Sequence, residues 1–226
     1  MSHYSDYRHT DRQARPNKGL ILSFEGIDGC GKSTQIALLK EALEAQGVQV
    51  QVYREPGGTS VSETIRSILL NPENDLNPVT EVLLFSSARS QLVTERILPA
   101  LRQGTVVILD RFFDSTTAYQ GYGHQILTPE ALQSIHRLAA HGLEPELTFY
   151  LKLPLQIALE RTAQMEKDRM ESMGDAFFER VIEGYDQLSR QEKRFVTLEA
   201  DQDVIHIHRE IMELVQPRLP LERSSD

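Results

Sequence analysis

Residues 20–34 read LILSFEGIDGCGKST, and the order of residue types in this stretch decides what the rest of the chain can be. Leu20, Ile21, Leu22 and Phe24 form a short apolar run suited to a buried strand. Gly26-Ile27-Asp28-Gly29-Cys30-Gly31-Lys32-Ser33 then matches GxxxxGK[ST], and Ile36, Leu39 and Leu43 recur at helical spacing beyond it. The glycines let the backbone fold so that several N–H groups point at one spot. The following helix adds its unpaired N-terminal N–H groups and the positive end of its dipole. That spot attracts phosphate, with the loop through Thr34 as its cradle, Lys32 reaching the outer phosphates and the Ser33 hydroxyl helping to hold Mg²⁺. The stretch implies a site for a nucleoside triphosphate.

The chain around it has 226 residues, enough for one sizeable α/β domain. Its 40% apolar and 25% charged residues are ordinary for a soluble globular protein. No apolar run approaches the roughly 20 residues that span a bilayer, so no membrane partner is expected. Residues 1–18 are polar, lack the apolar core of a secretory signal, and read as a disordered tail. The one cysteine, Cys30, excludes an internal disulfide framework and points to a reducing compartment, the cytoplasm. A net charge of −9 argues against a nucleic-acid binder, which would need a basic face. An acidic protein that handles phosphates must gather its cations locally, so arginines at loop ends become informative.

Beyond the loop, strand and helix patterns alternate. A helix is expected over 32–46, stopped at Gly47, then a half-exposed strand over 48–53. The turn at 54–59 leads into a helix ending near Leu70, with Ser60 and Glu63 at capping-box spacing. Residues 71–77 read as a polar loop and 78–103 as a long helix that Pro99 kinks or ends. The apolar strand 105–109 stops at Asp110, where a P-loop site places a carboxylate for the magnesium shell. Helices are expected over 114–121 and from Thr128, a strand over 147–153 and a helix over 154–164. Residues 164–175 are charged and read as a mobile covering segment; a long helix over 175–195 and a last strand at 204–208 follow. No repeat or linker divides the chain, so 19–220 is read as one domain. The alternation implies a three-layer α/β fold, a five-stranded parallel sheet with helices on both faces and ligands at the carboxyl ends of its strands.

In such a sheet the strand-end residues Glu25 and Asp28, Arg54 and Glu55, and Asp110 and Arg111 fall at one edge. Phe85 and Arg89, four apart, share a helix face. They could suit a phosphate and a stacked base, but the pair alone favours a surface arginine beside a core phenylalanine. His206 and His208 lack the further ligands a metal would need, and a plain strand accounts for them.

Several ordered motifs now decide between these readings: FEGIDGCGKST at 24–34, REPGGT at 54–59, LLFSSARSQ at 83–91, DRFFDSTTAYQG at 110–121, and DRMES with FFERVIEGY within 168–185. Together they resemble the thymidylate kinases of the P-loop nucleoside monophosphate kinase group, over roughly residues 19–210. The resemblance implies Mg²⁺-dependent transfer of the ATP γ-phosphoryl group to thymidine monophosphate (dTMP), in a homodimer. It implies that Lys32 neutralises charge on the transferring group, that Arg54, Arg89 and Arg111 hold the acceptor phosphate, and that Phe85 stacks on thymine. Thr116 and Gln120 would contact the base or its surroundings, and Tyr119 would lie against the sugar. Asp28 would hydrogen-bond the 3′-hydroxyl or the reacting groups, while Ser33, Glu55 and Asp110 would order magnesium and its waters. Cys30 reads as a small filler, since this phosphoryl transfer gives a nucleophile nothing to attack.

The chain also departs from the family pattern. Gly29 stands where some members carry a P-loop arginine, and the lid before Asp168-Arg169 is poor in cations. Arg161, Lys167 and Arg169 remain, and Arg169 is expected to compensate as the catalytic lid arginine, with Lys167 second; the alternative is that Arg169 pairs with Glu171 or a nearby acid. Phe112 occupies a position where tyrosine is common.

Overall fold

The computed structural model describes residues 19–164 and 168–219, so the expectations for residues 1–18 and for Lys167 lie outside the described residues. Five strands form the sheet: β1 (Leu20–Glu25), β2 (Val50–Arg54), β3 (Val106–Asp110), β4 (Leu147–Lys152) and β5 (Phe195–Glu199). All pairings are parallel, in the order β2-β3-β1-β4-β5. Parallel strands covered on both faces need apolar residues in near-continuous runs. The central β1 has every residue buried, and β3 and β4 are buried to their last residue. The edge strand β2 buries Val50, partly covers Tyr53 and exposes Gln51, Val52 and Arg54, so it is a half-exposed strand. Even the polar residues inside the sheet are matched, Ser23 Oγ lying 2.8 Å from Thr148 Oγ1.

Alternate residues of β1 face different helical layers. Leu20, Leu22 and Phe24 join a core with α1 (Lys32–Glu44), α8 (Asp175–Gln191) and α9 (Val204–Val215). Ile21, with Val107 and Leu109, packs instead on Leu92, Val93 and Ile97 of the long helical segment after residue 77. The helices between are α2 (Ser60–Leu70), α3 (Pro78–Leu92), α4 (Leu98–Arg102), α5 (Phe113–Thr116), α6 (Pro129–Ala139) and α7 (Leu155–Thr162).

Four local expectations are corrected. Residues 204–208 are not a strand but the first turns of α9, and β5 lies earlier, at the end of what reads as the preceding helix. The Asp203 side chain accepts from the N–H groups of Ile205 and His206, and Ile207, Ile211 and Val215 bury one helical stripe. Five residues of V-I-H-I-H are too few to separate a period of two from one of 3.6. Helix α8 stops at Gln191 because Glu192 is extended, which frees 195–199 for the sheet. Helix α2 is capped by Thr59, one residue before the expected Ser60: Thr59 Oγ1 accepts from Ser62 N, and Glu63 accepts from Gly58 N. At Pro99 the long helix does not end: a π-helical turn at Val93–Ile97 precedes it and α4 continues. The wider turn accommodates a residue that lacks an N–H and crowds the preceding turn. A second π-helical segment, Thr117–Gly123, follows α5 where an ordinary helix is expected.

Candidate active site

The loop after β1 closes tightly on its neighbours. Gly26 has φ 134°, and a Cβ there would lie 2.7 Å from the Leu151 carbonyl oxygen. Gly29, at φ 81°, would place a Cβ 3.0 Å from the Ala158 carbonyl and 3.1 Å from Thr162 Cγ2, so α7 packs directly on the crest of the loop. Lys32 starts α1 and turns back inside the loop, its Nζ donating to the carbonyls of Gly26 and Ile27, both at 3.1 Å. Its ammonium is 3.7 Å from Asp28 and 3.7 Å from the buried Cys30 Sγ. Ser33 and Thr34 are exposed at the head of the helix.

The loop after β3 meets this one. Arg111 has φ 70°, and its N–H donates to the Phe24 carbonyl, carrying the sheet ladder one residue past β3. The backbone then turns the guanidinium toward the phosphate loop. Nη2 donates to Asp28 Oδ1 at 2.8 Å and to the Tyr119 hydroxyl at 3.3 Å; Nη1 donates to Ser115 and to Tyr185 at 3.2 and 3.3 Å. The cation also lies 5.1 Å from the centre of the Tyr119 ring. Burial works against the Asp28 charge, but Arg111 first and Lys32 second outweigh it and hold the carboxyl down to about 2.

A second group of the expected site residues is built on α3. Arg89 is 2% exposed; its Nε donates to Glu55 Oε2 at 2.7 Å and its Nη2 to the Phe112 carbonyl and Thr116 Oγ1 at 3.2 and 3.1 Å. Arg89 Nη1 and Glu55 Oε1 are buried without a hydrogen-bond partner. Burial pushes the Glu55 carboxyl up to about 7 against the pull of Arg89. Phe85, one turn earlier, is half-buried. Thr116 and Gln120 are each 1% exposed, and Tyr119 sits among Phe177, Phe178 and Tyr185 at edge-on geometry.

Other expected residues are engaged elsewhere. Arg54 is exposed and paired with Glu63 at 2.8 Å. Asp110 ends β3 with its backbone carbonyl accepting from Glu55 N. Arg169 does not pair with Glu171: Nη2 donates to Glu81 and Nε to the Leu69 carbonyl at 2.8 Å. Arg161, from α7, instead stands on the phosphate loop, its Nη1 donating to the Gly29 carbonyl at 3.1 Å.

Sequence reasoning assigns no role to three groups, although it places Glu25 at the site edge. Glu25 is fully buried and accepts from Phe112 N at 2.7 Å, Ser115 at 2.6 Å and Tyr185 at 3.1 Å, so it anchors the residues that flank the Arg111 guanidinium. Burial first and the Asp114 carboxylate second raise its pKa. Glu81 lies four residues before Phe85 and eight before Arg89 on one face of α3, a spacing that could have marked it. Asp114 and Arg194 form a buried bidentate pair at 2.6 and 2.7 Å, joining elements 80 residues apart, and no local pattern signals such a pair.

A small cleft of about 30 Å³ opens at the loop between Ile27, Asp28, Leu155, Ala158 and Phe178. A larger groove of about 760 Å³ lies elsewhere, between α6, the second π-helical segment and the end of α8, and contains none of the phosphate-loop residues. The site is therefore identified by its backbone geometry and charges and not by cavity size.

An amide cradle with its lysine, joined through the Asp28–Arg111 bridge to an arginine at the neighbouring strand end, is the geometry of a P-loop phosphotransferase. A family model described as thymidylate kinase matches residues 24–211. The thymidylate kinase of Thermoanaerobacter sp. (strain X514) is 44% identical over 203 residues, covering 89% of this chain and 100% of that protein. That of Pelodictyon phaeoclathratiforme is 48% identical over 212 residues (89% and 97%), and that of Chlorobaculum parvum 45% over 208 residues (87% and 95%). The chain belongs to the thymidylate kinase family.

Proposed function

We propose that this protein transfers the γ-phosphoryl group of ATP to dTMP: an oxygen of the acceptor phosphate bonds to the γ-phosphorus, the β,γ-bridging oxygen leaves with ADP, and dTDP forms. One observation carries this reading. Arg111, at positive φ at the end of β3, meets Asp28 of the phosphate loop at 2.8 Å, so donor cradle and acceptor cation share one edge of the sheet.

Residues 26–34 hold the ATP phosphates, and Lys32 exchanges its carbonyl partners for the γ-phosphate. Arg111 and Arg89, with Arg54 at the rim, present cations to the acceptor nucleotide, and the buried free Nη1 of Arg89 leaves a donor to offer. Phe85 stacks on the base, Thr116 and Gln120 border it, and Tyr119 packs on the sugar. Catalysis of this kind is positioning and charge stabilisation, without a covalent intermediate. The lid cation is Arg161, which already touches Gly29, whereas Arg169 is occupied by Glu81.

The donor set suits Mg²⁺. Ser33 is exposed at the helix head, Asp110 makes no side-chain hydrogen bond among the described residues, and Glu55 keeps a buried oxygen without a partner. No cluster of three or more His, Cys, Asp or Glu capable of holding a metal occurs among the described residues, and an ion completed by phosphates and water needs none. Ser33 and Asp110 would hold it, Glu55 would order its waters, and the ion would neutralise charge on the bridging phosphates. Exposed Val61 and Ile68 on α2, Val79 and Leu83 on α3 and Leu138 on α6, with α3 packed on both of the other helices, support a homodimer. Charged nucleotides do not cross membranes unaided, and no described helix is long and apolar enough to span one, so the reading places the enzyme with its substrates in the cytoplasm.

The test is ADP release with ATP and Mg²⁺ over dTMP, dUMP, dCMP, dAMP and thymidine. A clear preference for dTMP is expected; equal turnover of all five would overturn the acceptor assignment.

A further inference from the structure

Glu81 is a carboxylate with no exposed surface, set in an otherwise ordinary helix, and both of its oxygens are used. Oε1 accepts from Gln120 Nε2 at 2.7 Å and lies 3.2 Å from His124 Nε2; Oε2 accepts from Arg169 of the lid. Burial opposes its ionisation, but the hydrogen bonds from His124, Gln120 and Arg169 outweigh that and keep it below the usual carboxylate range. An ionised carboxylate only accepts hydrogen bonds. The Gln120 amide therefore has to turn its NH₂ toward Glu81. Its carbonyl oxygen is left over, and it has no partner among the described residues.

We propose that Glu81 sets the base specificity of the acceptor site by fixing the Gln120 amide with its oxygen outward, and that its second oxygen joins this setting to the lid through Arg169. The inference rests on the reading that Gln120 borders the acceptor base. An amide oxygen so fixed accepts from a base that carries N–H at N3, as thymine and uracil do. Cytosine presents a bare N3 acceptor, so the two lone pairs oppose each other and a buried acceptor goes unpaired. Were the amide free to turn over, it would serve either base. Glu81 is thus a positioning residue for selectivity, acting through Gln120.

The experiment measures kcat/KM for dTMP and dCMP in the wild type, Glu81→Gln, Glu81→Asp and Gln120→Leu, with thermal unfolding to establish that each is folded. A glutamine at 81 can donate or accept and releases the amide, so the dTMP/dCMP ratio should fall about tenfold or more. Aspartate remains acceptor-only and should keep the ratio even where turnover drops. A loss confined to Gln120→Leu, with Glu81→Gln folded and fully selective, overturns the proposal. An unchanged ratio in Gln120→Leu overturns the base-reading assignment itself. Should Glu81→Gln not fold, side-chain amide NMR of the wild type decides: the Gln120 NH₂ protons must stay hydrogen-bonded and slowly exchanging when dTMP binds, and their transfer to the nucleotide refutes the proposal.

Discussion

Arg161 Nη1 donates to the Gly29 carbonyl at 3.1 Å, tying α7 to the crest of the phosphate loop across 132 residues of sequence. The same guanidinium reaches the Ala200 carbonyl at 3.4 Å, so it is held by two acceptors that a γ-phosphate could replace. Arg169, the nearer match to the lid motif, has exchanged that freedom for Glu81. Arg161→Ala should therefore lower kcat on the order of a hundredfold or more, with KM for ATP changed much less. Arg169→Ala should have the smaller effect on kcat. Steady-state kinetics of the two variants decides, and the reverse ranking would return the catalytic role to Arg169.

Lys32→Ala should abolish measurable turnover, a loss of at least about a hundredfold, while the protein keeps its fold. The ammonium's partners, the Gly26 and Ile27 carbonyls, the Asp28 carboxylate and Cys30 Sγ, all belong to its own loop, so its removal deletes no link between elements. Circular dichroism with a turnover assay checks both halves; a folded variant at wild-type rate would remove the loop lysine from the mechanism.

His136 gives the fold an acid-sensitive point. Its ring stacks on Phe113 at 5.3 Å, Nε2 bonds Thr117 Oγ1 at 2.8 Å, and Nδ1 is buried without a partner. Burial first, then the Arg89 and Arg194 cations, push its pKa down to about 3. The unfolded chain protonates this histidine near 6.5, and the native one does not. Its contribution is complete above about 6.5 and drains away as pH falls toward 3. Urea unfolding at pH 7 and pH 5 should show His136→Gln losing about 1–2 kcal/mol less on acidification than the wild type. Parallel losses would refute the assignment.

Asp114→Ala should destabilise the protein by about 3 kcal/mol, because it strands the Arg194 guanidinium. That cation is 13% exposed, rests over the Phe113 and Phe195 rings at 5.0 and 5.1 Å, and donates to Thr148 Oγ1, the partner of Ser23. Denaturant unfolding measures the loss; a cost under about 1 kcal/mol would mean that solvent reaches the stranded charge.

Local chemistry settled much of this protein before any folding was considered. An apolar run that stops at glycines, followed by Lys-Ser and a helical period, specifies strand, amide nest and helix through residues only a few positions apart. For the same reason β1, the loop at 26–33, α1 and the buried β3 and β4 could be read from the chain directly. Where two periods fit a short stretch, as at 204–208, the sequence left the choice to packing, and the apolar stripe of Ile207, Ile211 and Val215 against the α1 side decided for a helix. Contacts between distant positions were a matter for tertiary structure alone: Glu25 with Tyr185, Glu81 with Gln120 and Arg169, Asp114 with Arg194, Arg161 with Gly29. A buried charge needs a partner of opposite sign or a donor, but the chain does not say which of many candidates will arrive. Only the folded sheet, by bringing its loop ends to one edge, makes that selection.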